Sequence, residues 1–149
     1  MAPSLSRRSG AASSVLRTAA IAWLALLLLC AAYIQGPLTK LFDVPGAVAE
    51  MAHVGLRPAP LFAVVVILLE LAASAMILIG FHRWLGALAL AGFTLAATLV
   101  ALRFWELAPG FERTMAENAF FEHLGLAGAF VLVARHDLQA DPPASQATP

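Results

Sequence analysis

Four long apolar segments dominate this chain and restrict the folds that it can adopt. A helix needs roughly 20 apolar residues to cross about 30 Å of hydrocarbon, and segments near residues 18–34, 61–81, 84–104 and 118–134 qualify by length and content. Hydrophobic residues make up 61% of the 149 positions and charged residues only 12%, unlike the composition of soluble domains. Because the runs are continuous rather than alternating, they predict helices. We therefore expect an all-α integral membrane protein, a four-helix bundle.

Both ends of the chain are polar. Residues 1–17 are Ser-rich and basic, and residues 135–149 end in a Pro-rich stretch. Such composition is typical of disordered segments. We expect one membrane domain over residues 18–134, with a disordered tail on each side.

The connections between the apolar segments predict the topology. Only His82 and Arg83 separate the second and third segments, which leaves room for nothing but a tight antiparallel hairpin. The two longer connections, 35–60 and 105–117, therefore lie together on the opposite side. Basic residues are slightly more numerous on the side of the termini, with Arg7, Arg8, Arg17, Arg83 and Arg135 against Lys40, Arg57, Arg103 and Arg113. The positive-inside rule then predicts that both termini are cytoplasmic.

One acidic residue, Glu70, lies at the centre of the second apolar segment. On insertion scales an ionised carboxylate at that depth costs about 2.5–3.5 kcal/mol. No basic residue lies in the same segment, and the depth makes snorkelling to the interface difficult. Glu70 should therefore face other protein groups, be protonated, or both. It is the first candidate for proton chemistry, with a purely structural carboxyl as the alternative.

Further polar residues fall near the outer ends of the predicted helices. They are Tyr33, Lys40, Arg103, Glu106, Asn118, Glu122 and His123. We expect these side chains to converge on one cavity, with Glu70 as its floor about 14 Å below the outer end of its helix at 1.5 Å per residue. Arg103 is expected to pair with Glu122, and Glu70 to approach Ser74 or His123. For Arg103 and Glu122, a pair that only makes both charges tolerable in the membrane is the simpler interpretation.

Redox and metal chemistry are limited by the residues present. The only cysteine, Cys30, can form neither an internal disulfide nor a two-thiol redox motif. The four histidines show no pair at i, i+4 on a helix face, so we expect no metal site. With no haem or flavin motif, the chain cannot supply electrons alone. The expected partners are the lipid bilayer and either a redox partner protein or a second copy of the chain, and not nucleic acid.

Several short motifs occur in a distinctive order. They are YIQGPLTKL at 33–41, IGFHR at 79–83, FWE at 104–106 and FFEHLGLAG at 120–128. Each is weak alone, but their order and spacing over residues 16–134 resemble the DoxX family of small four-span bacterial membrane proteins. The resemblance implies a multi-pass protein of the bacterial inner membrane.

The resemblance also implies a function, since members of the family are linked to thiosulfate:quinone oxidoreduction and to membrane redox complexes. On this interpretation the chain is an accessory subunit in sulfur or oxidative-stress metabolism with no activity in isolation and no cofactor of its own. A quinone binds in the bundle, and Glu70 or His123 handles its proton. Two alternatives stay open. One is a small proton-coupled exporter of lipophilic compounds, which is disfavoured because such exporters carry the carboxylate in their first span. The other is a noncatalytic membrane scaffold or assembly factor.

Overall fold

The computed structural model describes the backbone of residues 5–140 and the side chains of residues 18–140. Its elements are α1 (Leu5–Phe42), α2 (Val44–His53), α3 (Ala59–Ile79), α4 (Arg83–Ala101), a short 3-10 turn (Phe104–Glu106) and α5 (Phe111–Ala140). All regular structure in the described part of the chain is helical. The predicted all-α membrane bundle is confirmed.

Three of the helical stretches are long and apolar enough to cross a membrane. They are Thr18–Phe42, Ala59–Ile79 and Arg83–Glu106. α5 is not among them, because polar residues such as Glu122 and His123 lower its mean hydropathy. Nevertheless, its 30 residues give a length of about 45 Å, and it packs along α4. The fourth span therefore stays a prediction.

Helical structure extends beyond the boundaries expected from the sequence. α1 begins at Leu5 and α5 continues to Ala140, so the structure describes helix at residues 5–17 and 135–140, where disordered tails were expected. At the end of α5 the cause is a tertiary contact. Asp137 accepts a hydrogen bond from the Trp84 backbone N–H at 2.9 Å and lies 3.7 Å from the Arg83 guanidinium, which places an acidic group at the N-terminus of α4. The rest of both predicted tails lies outside the described residues.

The connection at 35–60, expected to be a loop, is largely helical. α1 continues through Pro37 to Phe42, with the proline ring fully buried. α2 follows at once, because the Asp43 carboxylate accepts a hydrogen bond from the Gly46 N–H at 2.9 Å and Pro45 lies in the first turn, where its missing N–H has no cost. α2 then packs against α1 and α3 at the end of the bundle opposite the α3–α4 turn.

α3 and α4 form the predicted hairpin. Gly80 ends α3 with a φ of 84°, and His82 adopts a φ of 47°, so the chain reverses within three residues. Gly86 then allows the two helices to approach closely, because a Cβ atom at this position would lie 2.8 Å from the Ala73 carbonyl oxygen. Among the long helices, the backbones of α1 and α3, of α3 and α4, and of α4 and α5 run close together.

The main core brings α1, α4 and α5 together around Tyr33. Its ring lies edge-on to Phe130 with 5.2 Å between centroids and to Phe93 with 6.5 Å. Tyr33 is only 6% exposed, and Leu90 and Phe130 are fully buried. A second apolar cluster, around Ala47, Met51 and Ala63, holds α2 against α3.

Candidate functional site

A cavity of about 260 Å³ lies in the half of the bundle away from the α3–α4 hairpin. Each of the five helices contributes polar lining to it: Tyr33 and Lys40 from α1, Glu50 from α2, Glu70 from α3, Thr94 from α4 and His123 from α5. We call this cavity the polar chamber. It brings together four of the predicted site residues, Tyr33, Lys40, Glu70 and His123.

Glu70 is buried in the wall of the polar chamber. Its side chain is 7% exposed, and the Oε2 atom has no hydrogen-bond partner among the described residues. The other carboxyl oxygen, Oε1, lies near Gly36 of α1, since a Cβ atom added at this glycine would be 4.0 Å from it. The expected hydrogen bond to Ser74 is not formed, since the Ser74 hydroxyl also lacks a partner in this part of the chain. A buried polar group without a partner is costly, so this carboxyl is well placed to meet a ligand.

Thr94 connects α4 to Tyr33. The Thr94 hydroxyl donates to the Leu90 carbonyl oxygen one turn earlier, at 2.6 Å, and lies 2.6 Å from the Tyr33 hydroxyl. A threonine hydroxyl has one proton to donate, and here the Leu90 carbonyl oxygen accepts that hydrogen bond. Tyr33 must therefore be the donor in the bond between the two hydroxyls.

Thr98 and His123 form a second contact of the same kind, between α4 and α5. The Thr98 hydroxyl donates to the Thr94 carbonyl oxygen at 2.6 Å and lies 2.9 Å from His123 Nδ1. Because Thr98 has no second proton to give, Nδ1 carries the proton and donates it. With the proton on Nδ1, Nε2 is the acceptor of the neutral form of the ring. His123 thus reaches the polar chamber with its tautomer set by α4, not by Glu70.

Lys40 and Glu50 close the outer end of the polar chamber. Their charged atoms lie 3.4 Å apart, with the Lys40 side chain 17% exposed and that of Glu50 54% exposed. Glu50 was not predicted as a site residue, because its segment was expected to be a loop. The cap signal Asp43-Val44-Pro45 is the feature that could have indicated a helix over the bundle end.

The other four residues expected at the cavity, Arg103, Glu106, Asn118 and Glu122, do not line the polar chamber. Arg103 pairs with Glu106 at 3.2 Å, with both side chains half-exposed, so the predicted Arg103–Glu122 pair is wrong. The reason is local geometry, since Arg103 and Glu106 are three residues apart across the 3-10 turn. Glu122 and Asn118 are exposed; with His123 turned toward α4, its neighbour Glu122 points about 100° around the helix.

An apolar groove of about 310 Å³ adjoins the polar chamber. The two share a boundary formed by Lys40, Glu50, Phe93, Ala97 and Ala101. Beyond that boundary the groove runs between α2, α3 and α4 along side chains such as Met51, Phe62, Val65, Val66, Leu69 and Val100. We call it the lateral groove. Its apolar lining and its continuity with the chamber suit an amphipathic molecule with a polar head and an apolar tail.

Metal binding has no support in the described residues, since no three His, Cys, Asp or Glu side chains within residues 18–140 are grouped to hold an ion. The arrangement instead offers one buried carboxyl, one imidazole acceptor and one phenol around a space of ligand size.

Comparison with known proteins identifies the family. Residues 17–103 match the DoxX family, which is more than half of the chain and covers the membrane part of α1 through the end of α4. α5, with His123, lies beyond the matched residues. Neither the curated proteins nor the solved structures give a match. The family match agrees with the order of sequence motifs and with the apolar helices of a multi-pass membrane protein, and this chain therefore belongs to the DoxX family.

Proposed function

We propose that this protein is an accessory membrane subunit of a redox system and binds a quinone-like lipid inside the helix bundle. The observation that carries the proposal is the buried Glu70 carboxyl, which faces a polar chamber continuous with an apolar groove and has an oxygen without a partner. A ring-shaped head group would occupy the chamber, and its isoprenoid tail would follow the lateral groove. The family also supports this interpretation, as its members are linked to quinone-dependent oxidoreduction.

The side chains suit proton handling better than electron transfer. A bound quinone supplies two-electron chemistry, and each electron must be matched by a proton at a ring oxygen. Glu70 and the Nε2 atom of His123 are positioned to exchange such protons, since both line the same chamber. The chain has one cysteine and no haem or flavin motif, so the electrons come from a redox partner protein.

The proposed location is the bacterial inner membrane with both termini in the cytoplasm, in accord with the positive-inside count. This orientation turns the polar chamber and α2 toward the outer face. Fusions of a periplasm-active reporter at the C-terminus and within the 107–110 connection test it. We expect activity only from the internal fusion, and the reverse pattern would contradict the orientation.

Mass spectrometry of lipid extracts tests the proposed ligand. The full chain is purified from its own membranes in mild detergent as wild type, Glu70→Gln and Glu112→Gln. The last variant is the matched control, because Glu112 is exposed in the first turn of α5 and does not line the chamber. We expect near-stoichiometric quinone with the wild type and the control, and loss of at least about 80% of the bound quinone with Glu70→Gln. Quinone that is absent from all three preparations, or equal in all three, contradicts the proposal.

Proton-coupled export of a lipophilic cation is the second candidate. The same unpartnered Glu70 favours it, because a carboxylate that exchanges its proton for a cation needs a site reached from the bilayer. Proteoliposomes with an imposed proton gradient separate the two functions. Gradient-driven movement of a lipophilic cation that is lost in Glu70→Gln supports export. Co-purification of partner proteins with neither quinone nor transport would favour a scaffold.

A further inference from the structure

Apart from the Lys40 ammonium at its boundary with the lateral groove, the hydrogen-bond donors around the polar chamber are already used within the protein. The Thr94 and Thr98 hydroxyls donate to the backbone carbonyls of Leu90 and Thr94. Tyr33 donates to Thr94 at 2.6 Å, and His123 donates through Nδ1 to Thr98 at 2.9 Å. Each of these bonds follows from the single proton on a threonine hydroxyl.

The groups left to meet a ligand are acceptors. They are the lone pairs of the Tyr33 oxygen, Nε2 of His123 and the Glu70 carboxyl, whose Oε2 has no partner among the described residues. A protonated Glu70 would add one donor but would keep its carbonyl oxygen as an acceptor. Within residues 18–140, the only Lys or Arg that lines the chamber is Lys40. Its ammonium pairs with Glu50 where the chamber meets the lateral groove, so any N–H group that it keeps for a ligand lies at that boundary and not beside Glu70 and His123.

We propose that the polar chamber selects lipids whose head group donates hydrogen bonds, such as a hydroquinone or another phenol, over lipids whose head group only accepts them. This inference rests on the proposed function, because it concerns the same site and the reduced form of the same ligand class. A ring hydroxyl can reach Glu70 or His123 Nε2 as a donor. A carbonyl or ether oxygen in that place would meet lone pairs and leave buried acceptors without a partner.

The lateral groove can hold the apolar tail of such a lipid. The groove joins the chamber at Phe93, Ala97 and Ala101, so a head group in the chamber can continue into an apolar chain without crossing the packed core. Val65, on the same groove, is 46% exposed. The tail would therefore leave the bundle between α2, α3 and α4 at a face that is exposed in the isolated chain.

Three ligands with one shared decyl tail test the selection. They are decylhydroquinone, decyl-1,4-benzoquinone and decyl-1,4-dimethoxybenzene, titrated calorimetrically without oxygen into the full chain in detergent micelles, with empty micelles as the blank. The dimethoxy compound keeps the reduced ring and replaces both donor hydrogens by methyl groups, and the benzoquinone lacks donors without that added bulk. We expect the hydroquinone to bind at least about tenfold more tightly than either comparison ligand, the ratio that one well-placed hydrogen bond provides.

The outcomes separate this inference from the proposed function. Equal or tighter binding of the benzoquinone overturns the donor selection while the quinone site stands. Binding of none of the three ligands overturns both.

A variant of the chamber wall tests the mechanism of selection. Thr98→Val removes the acceptor that holds the proton on His123 Nδ1, so the imidazole can place its proton on Nε2 and act as a donor toward the ligand. The preference for hydroquinone over the dimethoxy compound should then fall at least about threefold. Thr114→Val is the matched control, because Thr114 bonds the Gly110 carbonyl in the same way, is exposed and lies outside the chamber. An unchanged preference in Thr98→Val, with helix content retained by circular dichroism, overturns the role of the His123 tautomer.

Discussion

Replacement of Glu70 by methionine should stabilise the ligand-free protein while it abolishes ligand binding. The Glu70 side chain is 7% exposed, and its Oε2 atom has no hydrogen-bond partner in the described part of the chain. A buried polar group left in this state costs roughly 1–3 kcal/mol. Methionine has a similar length and shape, is as good a helix former as glutamate and adapts to irregular packing. We therefore expect the free energy of unfolding to rise by about 1–3 kcal/mol.

Equilibrium unfolding in mixed detergent and SDS micelles, followed by far-UV circular dichroism, measures this change. The matched control is Glu50→Met, because Glu50 also lines the chamber but is 54% exposed and already paired with Lys40. Its replacement should change the free energy of unfolding by less than about 1 kcal/mol, the usual size of an exposed ion pair. If Glu70→Met instead lowers the free energy of unfolding by more than about 1 kcal/mol, the prediction is wrong, since the carboxyl would then stabilise the bundle.

Two further predictions concern the packing that positions the site. Gly86→Ala should lower the free energy of unfolding by about 1–3 kcal/mol, because the new Cβ would lie 2.8 Å from the Ala73 carbonyl oxygen. Gly92→Ala is the control, since its Cβ would meet nothing within 4 Å, and it should be neutral or slightly stabilising in the same assay. Equal effects of the two substitutions would contradict the close approach of α3 and α4. Asp137→Ala removes the partner of Arg83 and should increase amide hydrogen exchange in residues 135–140 severalfold, while unchanged exchange would mean that the helix end does not depend on this contact.

The fold follows from the sequence where burial in lipid leaves little choice. Continuous apolar runs admit only helices, and the two residues between the second and third runs admit only a hairpin. The depth of Glu70 and the positions of Tyr33 and Lys40 near one end follow from helical rise alone. These same residues meet in the polar chamber.

The rotation of each helix about its axis is what the sequence could not supply. Glu122 and His123 are adjacent, yet only His123 faces α4 and the chamber, and nothing local in the sequence distinguishes the two. Thr98 belongs to the site because it holds the His123 ring, a contact between residues 25 positions apart.

Helix ends and connections were predicted less well for a related reason. Two prolines and two glycines in residues 36–46 suggest a loop, but the buried Pro37 and the Asp43 cap keep this segment helical. Glu50 reaches the chamber only because α2 folds back over the bundle end. Its contribution depends on tertiary packing and not on local propensity.

Photolabelling with a quinone that carries an azide on its ring tests most directly whether the polar chamber is the ligand site. The full chain is labelled in native membranes, digested and sequenced by mass spectrometry. We expect adducts in peptides around Tyr33, Phe93–Ala97 and His123–Leu126. Unlabelled ligand should compete with this labelling, and Glu70→Gln should abolish it. Adducts confined to the exposed outer face of α1, around Leu28 and Leu38, or insensitive to Glu70→Gln, would contradict the proposed ligand site.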